Sequence, residues 1–512
     1  MVANGAGLSF GRSSTASIHP SSWILVLPVL LAVSSNNIRD LIAEFGELSR
    51  TSCVIARQSV GGLSFIIACY YQLPPVNLFF SVDFNVLPEI YSLVYEWTPV
   101  GSSQSSTNRV TERDESSRKI VKVISKSSSS ASQEGGNYLS VVQRVVVTVL
   151  RQSGKKERIT VIVKKKPGGE GRGAFLQESG AFKKEIMVYL HVLKAMETEI
   201  KENDDCEGML WCHMIGYNPY DCIVFEDLAV QGFQMTKSRL VFLDLDHTLV
   251  VMQSLGRLHG LSKVLIRKSL LEENDFAPYF LVANLHTTEK VMGHCLKLSG
   301  KHVKTWGNEW EGIGDTIIKY SSKIHVEMGR VGEVPEGSNL IVMNHGDVWQ
   351  CNMLFKYARY SEKPIELRFI DFQLSHYNTA GWDLVYFLHG GIDPEVRRNH
   401  LDLLLQVYAH EMKKTVTAYG LQEEDVASVD ELKADITRLL PYRLIASFFF
   451  RPLFVSRYPF DLEAVMTNTE MSEAIGMDAR SISDPNYREK SEVDLKELAD
   501  ELDKIEWLKQ DN

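Results

Sequence analysis

Residues 344–352 read Asn344-His345-Gly346-Asp347-Val348-Trp349-Gln350-Cys351-Asn352, and an apolar strand pattern leads from there to Ile370-Asp371-Phe372-Gln373. The first stretch fits His-x-Asp-x-x-x-x-Asn. The second places a carboxylate directly after a buried strand. A lone His-x-Asp is commonplace in solvated loops. The two patterns in this order are not, and they suit phosphoryl transfer. Asp347 is the candidate catalytic base, positioned to accept a hydrogen bond from an attacking hydroxyl. Asn352 and Asp371 are the candidate ligands of Mg²⁺. This ion takes oxygen donors and keeps several waters, so one carboxylate and one amide oxygen can suffice.

Upstream, the pattern turns to strands. Val141–Leu150 (VVQRVVVTVL) and Ile159–Lys164 (ITVIVK) are rich in β-branched residues. Strand alternation puts Ile162 and Lys164 on one face, opposite Val161 and Val163. Lys164 is therefore a candidate to reach the phosphates of ATP, although Lys165 and Lys166 beside it also fit an ordinary solvated run. From Phe182 to Met196 the apolar residues Ile186, Tyr189, Leu190 and Leu193 recur at helical spacing. Glu185 on that helix is a candidate partner for Lys164. Gly135-Gly136-Asn137 forms a turn in which Gly135 and Gly136 would let backbone approach phosphates. A plain turn satisfies the same residues. Phe225-Glu226-Asp227-Leu228 lies where the two parts of the chain join, and Glu226 and Leu228 are placed to offer backbone groups to an adenine ring.

Further out, composition sets limits. The chain has 512 residues, 44% hydrophobic and 23% charged, as in a globular protein. A formal net charge of −10 argues against a general nucleic-acid or anionic-membrane binder. Seven cysteines without metal-site spacing point to a reducing, cytoplasmic setting. Trp23–Val33 (WILVLPVLLAV) resembles the core of a signal peptide or anchor, but is too short to span a bilayer and contains Pro28. The serine-rich Gly101–Asn108 marks a boundary. The expected organisation is a poorly defined, partly disordered extension over 1–117, a small β-rich lobe over 118–226, and a larger, mainly helical lobe over 227–512.

Seven segments follow one another as in one known family. They are GGNYLSVVQRVVVTV (135–149), ITVIVKKKP (159–167), FKKEIMVYL (182–190), CIVFEDLAVQGF (222–233), LGRLHGLS (255–262), NHGDVWQCNMLFKY (344–357) and FIDFQLSHYNTAGWDLVYFL (369–388). Over roughly 118–510 the chain resembles the ecdysteroid kinase-like family, relatives of choline kinases and aminoglycoside phosphotransferases. The resemblance implies an α+β, two-lobed protein-kinase-like fold, use of ATP with Mg²⁺, and a small-molecule alcohol such as an ecdysteroid as acceptor; the net charge and the shortness of the apolar run add the expectation of no nucleic acid and no stable membrane insertion. It gives Asp347, Asn352, Asp371, Lys164 and Glu185 the roles above, and makes Asp383 of Trp382-Asp383-Leu384 a brace for the catalytic loop.

One motif competes. Arg239–Val250 (RLVFLDLDHTLV) carries Asp244-x-Asp246-x-Thr248, the nucleophile pattern of haloacid-dehalogenase-type phosphatases. That fold needs alternating strands and helices afterwards. Instead Leu245, Leu249, Met252, Leu255, Leu258, Leu261 and Leu265 recur at helical spacing. Asp244 is therefore expected near a helix start, where a carboxylate favours the dipole, and His259 is expected as a packed helix residue. A pseudokinase that only binds ligands is a third reading, disfavoured by the full set Lys164, Asp347, Asn352 and Asp371.

Overall fold

The computed structural model describes residues 54–60, 63–69, 120–131, 140–166, 180–218, 222–276, 278–455, 479–482 and 484–509. Trp23–Val33, Gly135 and Gly136 lie outside the described residues. The chain divides into two units, Met1–Phe80 and Ser81–Asn512. In the first, β1 (Val54–Val60) pairs antiparallel with β2 (Leu63–Cys69) as a hairpin.

The second unit begins with an antiparallel five-stranded sheet. Its strands are β3 (Ile120–Ser130), β4 (Val141–Arg151), β5 (Lys156–Lys165), β6 (Met214–Asn218) and β7 (Cys222–Glu226), in the order β3-β4-β5-β7-β6. The alternation read from the sequence sorts the two faces. Val145, Val147, Val149, Val161, Val163 and Val224 pack together on one side. Ile223 and Phe225 join the main core on the other, where Lys164 also lies, and Ile162 packs against it. Helix α1 (Ala181–Met187) runs through a π turn (Val188–Leu193) into Lys194–Glu202 and buries Phe182, Ile186, Tyr189, Leu193 and Met196.

Beyond residue 227 helices dominate, giving the mixed α+β, kinase-like architecture expected from the resemblance. Two long helices form its centre, α2 (Leu245–Arg267) and α3 (Pro394–Ala418). They cross closely because Gly256 and Gly260 remove side chains at the crossing. A Cβ on Gly256 would lie 2.4 Å from the Tyr408 carbonyl oxygen, and one on Gly260 2.8 Å from Thr415 Cβ. Backbone cannot yield as a flexible side chain can. Gly256→Val is therefore expected to cost about 1–3 kcal/mol by overpacking, read as a lowered midpoint in thermal or urea unfolding. An unchanged midpoint would contradict this packing. Among the described residues no helix is long and apolar enough to cross a membrane.

Two strand pairs, one nested in sequence inside the other, carry the motif loops. β8 (Ile341–Asn344) pairs with β11 (His376–Thr379), and β9 (Met353–Tyr357) with β10 (Pro364–Phe369). The loop holding Asp347 joins β8 to β9, and the loop holding Asp371 joins β10 to β11. Pairing the strands thus fixes both loops side by side: the Ile370 N–H donates to the Asn352 carbonyl at 3.0 Å.

Candidate active site

Lys164 ends β5 on the face turned toward α1, and its ammonium donates to Glu185 Oε2 and to Asp371 Oδ1, each at 2.6 Å. One cation thus faces two carboxylates from opposite lobes. Burial alone would push the Lys164 pKa down, but Asp371 and Glu185 outweigh it and hold the ammonium above its ordinary value. Burial, with the neighbouring Asp371 charge adding to it, pushes Glu185 up to about 7 against the pull of Lys164. Glu185 Oε1 is buried with no hydrogen-bond partner among the described residues. The cluster is short of positive charge.

Asp371 adopts the left-handed backbone region, φ 68 and ψ 63, which aspartate tolerates better than most residues. Gly346 is held at φ 84, and a Cβ there would lie 2.2 Å from the Leu374 carbonyl oxygen. Glycine at this position lets the Asp347 loop pack closely on the Asp371 loop.

Asp347 is gripped at both oxygens. The Tyr386 hydroxyl donates to Oδ1, and Asn352 Nδ2 donates to Oδ2 at 2.8 Å. Burial pushes the Asp347 pKa up to about 7, the Asp371 charge adds to this, and Tyr386, Asn352 and Lys164 oppose it. Because its amide nitrogen is spent on Asp347, Asn352 keeps its side-chain oxygen as the acceptor on offer. That oxygen and the Asp371 carboxylate are hard donors on adjoining loops, and the local excess of carboxylate charge favours a cation there. The donor chemistry fits Mg²⁺.

Asp383 organises the loop from below. It is fully buried and accepts from the His345 N–H at 2.6 Å and the Gly346 N–H at 2.8 Å. Burial would raise its pKa, but the His259 hydrogen bond and charge, among other partners, bring it below its ordinary value. His259 lies between Asp383 at 3.1 Å and the Tyr408 hydroxyl at 2.8 Å, packed within α2 rather than open to a substrate. His345 ties the two loops together. Its Nδ1 accepts from the Asp347 N–H at 3.2 Å, so Nε2 carries the proton donated to the Ile370 carbonyl at 3.0 Å. Burial lowers its pKa, in keeping with a neutral ring.

The Glu226 carboxylate accepts from the His213 N–H and from Gln231 Nε2, both at 2.8 Å. The side chain thus braces the segment between the lobes. Sequence reasoning missed Tyr386, the ion pair between Lys164 and Asp371, and the pairing of Arg144 with Asp227. Only the last carries a trace in the sequence, a cation on the Lys164 face of its strand.

Asp244 caps α2. Its side chain accepts from the His247 N–H at 3.0 Å and approaches the His247 ring at 2.7 Å, and it is exposed. Thr248 donates its hydroxyl to the Asp244 carbonyl at 2.6 Å. The dehalogenase-like motif is therefore a helix start. Asp244→Asn keeps a capping residue and is expected to lose only a charge–dipole interaction, roughly 0.3–1 kcal/mol. A larger loss in denaturant unfolding would contradict the capping role.

The chain matches the ecdysteroid kinase-like family over residues 134–421, a span that holds every described site residue above. It is narrower than the stretch suggested by the sequence resemblance. No curated protein matches the chain. Solved structures do, among them a structure of the microcompartment-associated aminopropanol kinase, with 13% identity, a TM-score of 0.32, and coverage of 70% of this chain and 90% of that one. The family match takes in more than half of the 512 residues, and the protein belongs to the ecdysteroid kinase-like family.

Proposed function

We propose that the protein is a phosphotransferase that uses ATP and Mg²⁺ to phosphorylate a hydroxyl of a small molecule, an ecdysteroid or a related alcohol. Family membership supports a small-molecule kinase. The observation that carries the finer reading is the convergence of Lys164, Glu185 and Asp371 in one hydrogen-bonded cluster, with Asp347 and Asn352 on the adjoining loop.

In this reading Lys164 holds phosphate oxygens while Glu185 fixes its ammonium. Asn352 and Asp371 would hold the metal, which when bound would offset negative charge on the phosphates. Asp347 accepts the proton of the acceptor hydroxyl as the hydroxyl oxygen bonds to the γ-phosphorus and the bond to the β-phosphate oxygen breaks, releasing ADP.

The test is ATP consumption across sterols, amino alcohols and phenols, with products identified by mass. A product carrying one added phosphate supports the reading. ATP binding without transfer to any of these acceptors would favour a ligand-binding pseudokinase.

A further inference from the structure

The proposed phosphate anchor and the segment between the lobes define a line along the sheet. Lys164 stands opposite Val142 on β4, and Ile162, two residues back on the same face, stands opposite Arg144. One residue further back, Val161 pairs with Glu226. A nucleotide with phosphates at Lys164 and its base at Glu226–Leu228 must therefore pass Ile162 and Arg144. Two residues of strand cover about 6.6 Å, close to the span from phosphate to base across a ribose.

Arg144 is built for more than solvent. Its Nε donates to Asp227 Oδ2 at 2.7 Å and its NH2 to Oδ1 at 3.2 Å, a two-point grip on the residue between Glu226 and Leu228. Oδ1 also accepts from the Ala229 N–H at 3.2 Å. Both Asp227 oxygens are thus occupied, and its side chain is only 4% exposed. It has little left with which to read a base directly. The Arg144 side chain keeps 38% of its surface open. A planar cation held at two points and still 38% exposed can serve as a stacking surface for a flat π-system.

We infer that Arg144, oriented by Asp227, is the platform on which the purine base of the nucleotide stacks. The inference rests on the phosphotransfer reading of the site. It gives a base-binding role to Arg144, a residue of the 135–149 segment to which the motif pattern assigns none. An ion pair that merely latches the sheet to the linker would look the same at rest, but would not distinguish a base from a phosphate chain.

Calorimetric titrations separate the cases. ATP and inorganic tripolyphosphate, each with Mg²⁺, are titrated into the full chain, into Arg144→Ala and into Arg144→Lys. The Lys variant keeps a charge opposite Asp227 but loses the plane, and decides the matter if the Ala variant fails to fold. Wild type is expected to bind both ligands. Both variants are expected to bind ATP roughly 2- to 30-fold more weakly, with tripolyphosphate affinity unchanged. Unchanged ATP affinity in a folded variant overturns the platform while leaving the phosphotransfer reading intact. Equal weakening of both ligands also overturns it, because Arg144 then acts on phosphates or on lobe geometry. A wild type that binds neither ligand refutes the phosphotransfer reading, and the platform with it.

Discussion

Replacing Asp347 by Asn is expected to leave ATP binding in place and to lower phosphoryl transfer by roughly 10²–10⁴-fold, the usual contribution of a positioned proton acceptor. The substitution is nearly isosteric. The new amide keeps one oxygen for Asn352, and the Tyr386 hydroxyl can turn to accept where it now donates. The backbone grip of Asp383 on His345 and Gly346 is untouched. Loss of rate in this variant therefore reports on chemistry rather than folding. Initial rates of ADP formation with an acceptor, set beside calorimetric ATP affinity, separate the two. Turnover near that of the wild type would remove Asp347 from the role.

Asp371 is expected to matter even more. Without its carboxylate, Mg²⁺ should no longer strengthen nucleotide binding, and transfer should fall below detection. The backbone complicates a simple truncation, because φ 68 suits Asp or Asn better than Ala. Asp371→Ala thus carries roughly 1–2 kcal/mol of conformational cost, whereas Asp371→Asn does not. Lys164 keeps Glu185 in either variant. If both variants lose the metal effect, the carboxylate is the cause. If only Ala loses it, the cause is backbone strain. Activity that persists in Asp371→Asn, or in wild type with a chelator, would contradict the metal assignment.

Much of this site was legible because its residues sit at fixed offsets on strand ends. His345, Asp347 and Asn352 span one loop, and two nested strand pairs bring that loop to Asp371. The strand period alone put Lys164 on the face opposite Val161 and Val163, and the sheet has that arrangement. Register and tertiary approach were not legible. Arg144 meets Asp227 only because β5 lies between β4 and β7 in one particular pairing. Tyr386 reaches Asp347 because it lies one helical turn beyond Asp383 on the helix Gly381–Tyr386, and Trp382-Asp383-Leu384 gives no sign of that contact. The hairpin of β1 and β2 lies where the pattern showed little order. The Asp244 stretch teaches the converse. Its local pattern matches a phosphatase nucleophile, yet the helical spacing after it governs, and the carboxylate caps α2.

The two phosphate chemistries differ in which aspartate is indispensable, so one paired assay tests the central claim most directly. Transfer of the ATP γ-phosphate to an acceptor is measured for wild type, Asp244→Asn and Asp347→Asn, each checked for cooperative unfolding. The account predicts that wild type and Asp244→Asn transfer at similar rates while Asp347→Asn does not. A folded Asp244→Asn protein that is silent beside an active Asp347→Asn, with a phosphoryl adduct trapped on Asp244 in the wild type, would contradict it.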